Sequence, residues 1–179
     1  MSRPKLSEAL LSADLIHDQS ILSPAISRMG MEIGQALRGQ SAVFLTIMQG
    51  GLVFAGQLAT AIDADLEFDY VHATRFRGTT EGGELKWMRR PDTPLAGRIV
   101  VLVDDILDEG HTLKAIRDWC QDQAASRVLL AVLCEKLHGR TVPGLSADFV
   151  GVEVPDRYVF GYGMDFNEQG RNLPAIYAL

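Results

Sequence analysis

Asp104, Asp105 and Asp108 put three carboxylates within five residues, and Gly110 and Thr112 follow at once. The stretch reads I-V-V-L-V-D-D-I-L-D-E-G-H-T-L from Ile99 to Leu113. Its apolar run, Ile99–Val103, predicts a buried parallel strand that Asp104 and Asp105 end abruptly. A helical pattern from Leu113 to about Gln123 comes next. Strand, acidic pair, short glycine-containing loop and helix start form an arrangement suited to a phosphorylated ligand. Amide N–H groups at a helix start face a phosphate, while carboxylates hold hydroxyls or a metal ion. The acidic pair alone would also suit a phosphoacceptor domain, a nucleotide hydrolase or an ordinary sheet; the third Asp, the Gly and the Thr at this spacing sharpen the reading.

The elements that must position these groups alternate along the chain. Ser23 and Pro24 predict an N-cap and first helical residue, and Ile26, Met29, Ile33 and Leu37 recur at helical spacing up to a stop at Gly39. Ala42–Met48 predicts a strand, followed by Gly50-Gly51 and an apolar helix to about Ile62. Leu66–Thr74 is a second strand, and Arg75 to Gly83 a polar loop rich in Gly and Thr. Glu84–Met88 resumes a short strand, and Val128–Glu135 is a very apolar one. Strands alternating with helices predict a parallel α/β sheet. Ligands of such sheets bind beyond the carboxyl ends of the strands. Gln49-Gly50-Gly51, Asp104 to Thr112, and Lys136 all fall there, and three strand ends converging say more than any one of them.

Composition sets the bounds. The chain has 179 residues, 47% of them hydrophobic, which suits one domain with a sizeable core. Its formal charge of −6, with no basic run beyond Arg89-Arg90, argues against a nucleic-acid surface. A small polyanionic substrate would need local neutralisation by a metal ion, loop amides and a few placed cations. Cys120 and Cys134 read as core thiols of a reducing compartment. Neither they nor His17, His72, His111 and His138 have zinc-ligand spacing. Glu8 and Asp14 interrupt any apolar leader, and no run reaches membrane-spanning length, so the expected location is the cytoplasm.

The acidic motif, four or five apolar residues, two acids, two apolar residues, Asp and a phosphate loop, resembles the phosphoribosyl-pyrophosphate motif of type I phosphoribosyltransferases. The tail narrows this. Asp148 to Tyr162, reading D-F-V-G-V-E-V-P-D-R-Y-V-F-G-Y, followed by Met164 to Glu168 and by Arg171, resembles the base-binding hood of hypoxanthine-guanine phosphoribosyltransferases. The resemblance runs from the Ser23 helix almost to the C-terminus. It implies a type I phosphoribosyltransferase-like α/β fold. One domain would span residues 1–179, its core at about 23–140 and a small hood from about 1–22 and 141–179. It also implies transfer of a phosphoribosyl group from phosphoribosyl pyrophosphate to N9 of hypoxanthine or guanine, with Mg2+, in a homodimer or homotetramer.

Carried over by position, the resemblance makes Asp108 the general acid/base beside purine N7. Asp104 and Asp105 become the acidic pair near the ribose hydroxyls and their magnesium. Glu109, Gly110, His111 and Thr112 complete the ribose and 5′-phosphate loop. Lys136 donates to the purine 6-oxygen, Tyr158 stacks on the base with Ile106 on the opposite face, and Val159 acts through its backbone. Asp165 lies at the base and holds a second magnesium; Arg171, Gln49, Gly50 and Gly51 serve pyrophosphate. The sequence departs from the family at four points. Gln49 replaces a Lys, Arg75-Phe76 an expected Ser-Tyr, Glu109 a Thr and His111 a Lys. Arg75 and Arg77 are expected to restore the charge lost at Gln49, and Glu109 to point outward. A non-proline cis peptide at Met48–Gln49 would match the family's loop. Two rival readings stand beside this one: a xanthine-preferring enzyme, and a non-enzymatic regulator that kept the pocket to sense a nucleotide. The acidic balance and the joint presence of Asp108 and Lys136 weigh against the second.

Overall fold

Apolar strands too hydrophobic to face water on either side dictate a sheet covered on both faces. In the computed structural model, which describes residues 5–75 and 85–179, that sheet is built around β2 and β5. The elements run α1 (Leu6–Ser12), β1 (Asp14–His17), α2 (Gln19–Leu37), β2 (Ala42–Met48), α3 (Leu52–Ala61), β3 (Leu66–Arg75) and β4 (Leu85–Arg89). They continue with β5 (Ile99–Leu107), α4 (His111–Asp122), β6 (Arg127–Lys136), β7 (Phe149–Val154), β8 (Val159–Phe160) and β9 (Ile176–Ala178). Phe76 and Arg77 lie outside the described residues.

The large sheet has six strands in the order β4-β3-β2-β5-β6-β7, with only β4 antiparallel to its neighbour. Successive residues of β5 supply opposite faces. Val101 and Val103 join the cluster under α2 and α3, which holds Leu22, Met29, Ile33, Phe54 and Leu58. Val100 and Leu102 join the cluster under α4, with Leu113, Ile116 and Cys120. A second sheet of three strands, β1-β9-β8, forms the hood and carries a small aromatic cluster of Phe160 and Phe166. No helix among the described residues is long and apolar enough to cross a membrane.

Three boundaries differ from the sequence expectation. Helix α2 starts at Gln19, not Ser23, so Pro24 lies inside it. The Asp18 carboxylate caps the earlier turn by accepting the Ser20 N–H at 2.9 Å, and Leu22 is fully buried in line with Ile26 and Met29. That burial outweighs the helix-breaking tendency of proline. Strand β5 does not stop at the acidic pair but runs to Leu107. Its parallel ladder with β6 continues through Asp104↔Val132 and Ile106↔Cys134, so the backbone stays paired while the carboxylates turn off the strand. Finally, β7 pairs in parallel with β6 and edges the large sheet, so the hood is smaller than the segment 141–179.

Candidate active site

The carboxyl ends of β2, β5 and β6 open onto one cleft of about 1060 Å³. Its floor is the acidic pair. Asp105 is buried against the Gly50 backbone, and its N–H donates to Asp104 Oδ1 at 2.9 Å. Burial, reinforced by the neighbouring carboxylate, pushes the Asp104 carboxyl well above its ordinary range; burial also pushes Asp105 up. Gln49 and Gly50 line the cleft at the end of β2, and the Met48–Gln49 peptide is cis. Gly51 does not line it: it is buried at the start of α3, its N–H given to Ile47 O at 3.0 Å. A Cβ there would stand 2.8 Å from Ile47 O and 2.9 Å from Val103 O. Packing against two strands, rather than approach to a ligand, requires glycine at this position.

Beyond β5 the chain turns into α4, and Glu109, Gly110, His111 and Thr112 form a recess of about 450 Å³ that shares Asp104, Ile106, Asp108 and Thr112 with the cleft. Gly110 occupies the N-cap position with no side-chain cap, so the first amides of a 12-residue helix have no side-chain acceptor at the N-cap. The Glu109 side chain is more than half exposed, lies 3.8 Å from His111 and borders the recess.

Asp108 is held on both carboxylate oxygens. Lys136 Nζ donates to its Oδ2 at 2.5 Å, and His138 Nε2 lies 2.6 Å from its Oδ1. Burial alone would raise the Asp108 carboxyl, but the bonds from Lys136 and His138 outweigh it and hold it below the usual range. Lys136, the last residue of β6, and Asp108, just past the end of β5, therefore address one point in space. His138 was not among the residues the sequence singled out for the site. Strand alternation gave no signal for it, because β6 ends at Lys136 and the His138 N–H turns back to Lys136 O at 3.0 Å.

The hood supplies the other wall. Tyr158 is half exposed over the cleft, and its hydroxyl donates to Asp165 O at 3.0 Å; Val159 and Ile106 line the same space. The Asp165 carboxylate is engaged on both oxygens: Arg171 Nη2 donates to Oδ1 at 2.7 Å and the Glu168 N–H to Oδ2 at 3.0 Å. Arg171 Nη1 also donates to Gly163 O at 2.7 Å. The hood backbone meets the loop after β2 with no side chain between them. Gly163 has φ +108, and a Cβ on it would stand 2.2 Å from Gly50 O. Arg75 ends β3 opposite Leu85.

The sequence model of the phosphoribosyl transferase domain family matches residues 12–168. A hypoxanthine-guanine phosphoribosyltransferase of Streptococcus thermophilus is 31% identical over 163 residues, covering 90% of each chain. The chain belongs to the hypoxanthine-guanine phosphoribosyltransferase family. A second family member, from Streptococcus mutans, is 33% identical over 149 residues, 83% of this chain and 82% of that one. The crystal structure of a hypoxanthine phosphoribosyltransferase from Staphylococcus aureus superposes with a TM-score of 0.90 at 26% identity, covering 98% and 96% of the two chains.

In this phosphoribosyltransferase the cleft divides by chemistry. One end offers carboxylates and helix amides, suited to a sugar phosphate; the other offers an aromatic ring, an aliphatic side chain, a cation and an anion, suited to a flat polar heterocycle. Among the described residues no three His, Cys, Asp or Glu side chains gather into a preformed metal cage. The donors present are hard carboxylate oxygens on an open cleft. That set fits magnesium, which is commonly held by one or two carboxylates together with substrate oxygens. Sequence reasoning also left out Thr74, Met88 and Met164, which line the cleft from β3, β4 and the hood.

Proposed function

We propose that the protein transfers the 5-phosphoribosyl group of phosphoribosyl pyrophosphate to N9 of hypoxanthine or guanine, giving IMP or GMP and pyrophosphate. The observation that carries this reading is the meeting of Asp108 and Lys136 in the cleft that also holds Tyr158 and the start of α4. Lys136 donates to the purine 6-oxygen. A 6-amino group would set donor against donor, so adenine is rejected. Asp108 accepts the N7 proton as N9 bonds to C1, so the purine leaves the step neutral. Tyr158 and Ile106 hold the ring between them, and the Val159 backbone meets its far edge.

At the sugar end, amides from Gly110 to Thr112 receive the 5′-phosphate, and Asp104 and Asp105 face the ribose hydroxyls. As the C1–oxygen bond breaks, positive charge grows on the sugar and negative charge on pyrophosphate; inversion places N9 opposite the departing group. Fixed amides and carboxylates orient both partners. Gln49 and Gly50 approach pyrophosphate, with Arg75 supplying charge from β3. Arg171 acts there through Asp165, which it holds in place. Asp104, Asp105 and Asp165 would hold Mg2+, which neutralises the leaving group when bound. The same reading carries a cytoplasmic location, supported by two buried free thiols, and a homodimer or homotetramer.

The test is to incubate the protein with phosphoribosyl pyrophosphate, Mg2+ and each of hypoxanthine, guanine, xanthine and adenine, and to follow nucleotide formation. IMP and GMP are expected, with no AMP. Preferential XMP formation would support the xanthine reading instead, and no product from any base would overturn the assignment. Asp108→Ala is expected to lower turnover by about 10²- to 10⁴-fold, the range of general acid–base catalysis.

A further inference from the structure

His138 is almost wholly buried, its side chain 2% exposed, yet it points a ring nitrogen at the one carboxylate the reaction turns on. Its other nitrogen, Nδ1, accepts the Arg140 backbone N–H at 3.0 Å. A nitrogen that accepts an N–H carries no proton, so the ring proton sits on Nε2 and is donated to Asp108 Oδ1. The Arg140 backbone is itself tethered, because its guanidinium grips both oxygens of Asp156 at 2.7 and 2.8 Å. From Asp156 to Asp108 the groups form one line, and none of its links involves a substrate.

Lys136 is held differently. It lines the cleft and pairs with Asp108 through Oδ2, so without a base both carboxylate oxygens are occupied. A purine that takes Lys136 at its 6-oxygen and Asp108 at N7 competes for the same ammonium and the same Oδ2, and so loosens the contact between them. Oδ2 is then open to the ring, while Oδ1 remains on His138. We infer that His138 is a positioning residue: it keeps Asp108 oriented, with Oδ2 toward the base, once the Lys136 contact loosens. Without this donor, Asp108 is free to turn both oxygens to Lys136 and to withhold the lysine from the 6-oxygen. The inference rests on the reading of Asp108 and Lys136 as the groups that hold the base.

Three variants test it: His138→Gln, whose amide nitrogen reaches the position of Nε2, His138→Asn, whose amide reaches only that of Nδ1, and His138→Leu. Steady-state kinetics on the full-length protein are expected to show kcat/KM for hypoxanthine falling about 10- to 100-fold in the Leu and Asn variants, the span of a hydrogen bond to a charged group. The KM for phosphoribosyl pyrophosphate is expected to stay within about twofold, and the Gln variant to recover most of the loss. Should His138→Leu fail to fold, the Gln and Asn pair decides. Equal activity of Gln and Asn, or a loss that appears equally in the phosphoribosyl pyrophosphate KM, would overturn the inference. Wild-type protein that makes no nucleotide would instead overturn the functional reading beneath it.

Discussion

Gly51→Ala probes whether the loop between β2 and α3 owes its glycine to packing or to a ligand. Gly51 has φ −64 and ψ −14, a conformation alanine adopts freely, so backbone strain is not the issue. The added methyl would meet Ile47 O at 2.8 Å and Val103 O at 2.9 Å, both main-chain atoms of central strands. Those distances fall about half an ångström short of ordinary contact, and neither strand can yield without disturbing its ladder. Overpacking of this kind costs about 1–3 kcal/mol, against which the lower unfolded-state entropy of alanine returns about 0.4–1 kcal/mol. The balance is a loss of about 1–2 kcal/mol, or about 2–8 °C in Tm for a chain of this length. Gly56→Ala is the matched control. It lies in the same helix with nothing within 4 Å of the added carbon, and it should gain up to about 1 kcal/mol. Thermal and urea denaturation of both variants, with the KM for phosphoribosyl pyrophosphate, form the assay. If Gly51→Ala melts with the wild type and loses only substrate affinity, the packing argument is wrong.

Asp69 gives a pH prediction. Burial raises its carboxyl, but the Thr93 N–H, Arg89 and the Tyr70 N–H overcome this and bring it down to about 2. Its folded pKa lies below the ordinary value, so its contribution is fully present above about pH 4 and is lost as pH falls toward 2. Asp69→Asn should therefore destabilise the protein at neutral pH and flatten the acid limb between those values in denaturant titrations; an unchanged limb would count against it. Burial pushes the Cys120 thiol up to about 12 and Cys134 also upward, so neither should react with a thiol reagent at pH 8 until the protein is unfolded. Rapid labelling of the native protein would contradict the packing described. Arg75→Ala should raise the KM for phosphoribosyl pyrophosphate or lower turnover while sparing the hypoxanthine KM, because it removes charge that Gln49 does not provide; unaltered kinetics would refute that role.

What was legible in the sequence was whatever a short window determines. Ala42–Met48, apolar but for Thr46, and the run Val128–Cys134 announce themselves because the helices covering both faces leave them little polar side. The phosphate loop is similarly local. Features set by pairing across the chain were not. Asp104 and Asp105 look like a strand end, yet the ladder to β6 carries β5 through them to Leu107. Ser23-Pro24 looks like a helix start, but the Asp18 cap and the burial of Leu22 move it back. The segment Phe149–Val154 reads as hood and belongs to the large sheet, since only its neighbour β6 decides that. Within the site, it was the family resemblance, and not residue type or spacing, that led to the expectation of Lys136 and Asp108 side by side, and the two side chains do meet. The occupancy of Asp165 by Arg171, and of Asp108 by His138, depends on turns that place residues 6 and 30 positions apart.

The flush contact of Gly163 on the Gly50 carbonyl joins the two halves of the cleft mechanically. A seam between bare main chains has no rotamers to absorb a push, so a shift of one side presses directly on the other. On the function proposed above, pyrophosphate moving the Gly50 turn would press on the hood, and a purine seated under the hood would press back on the turn. Donor and acceptor should then alter each other's affinity by the same factor without touching.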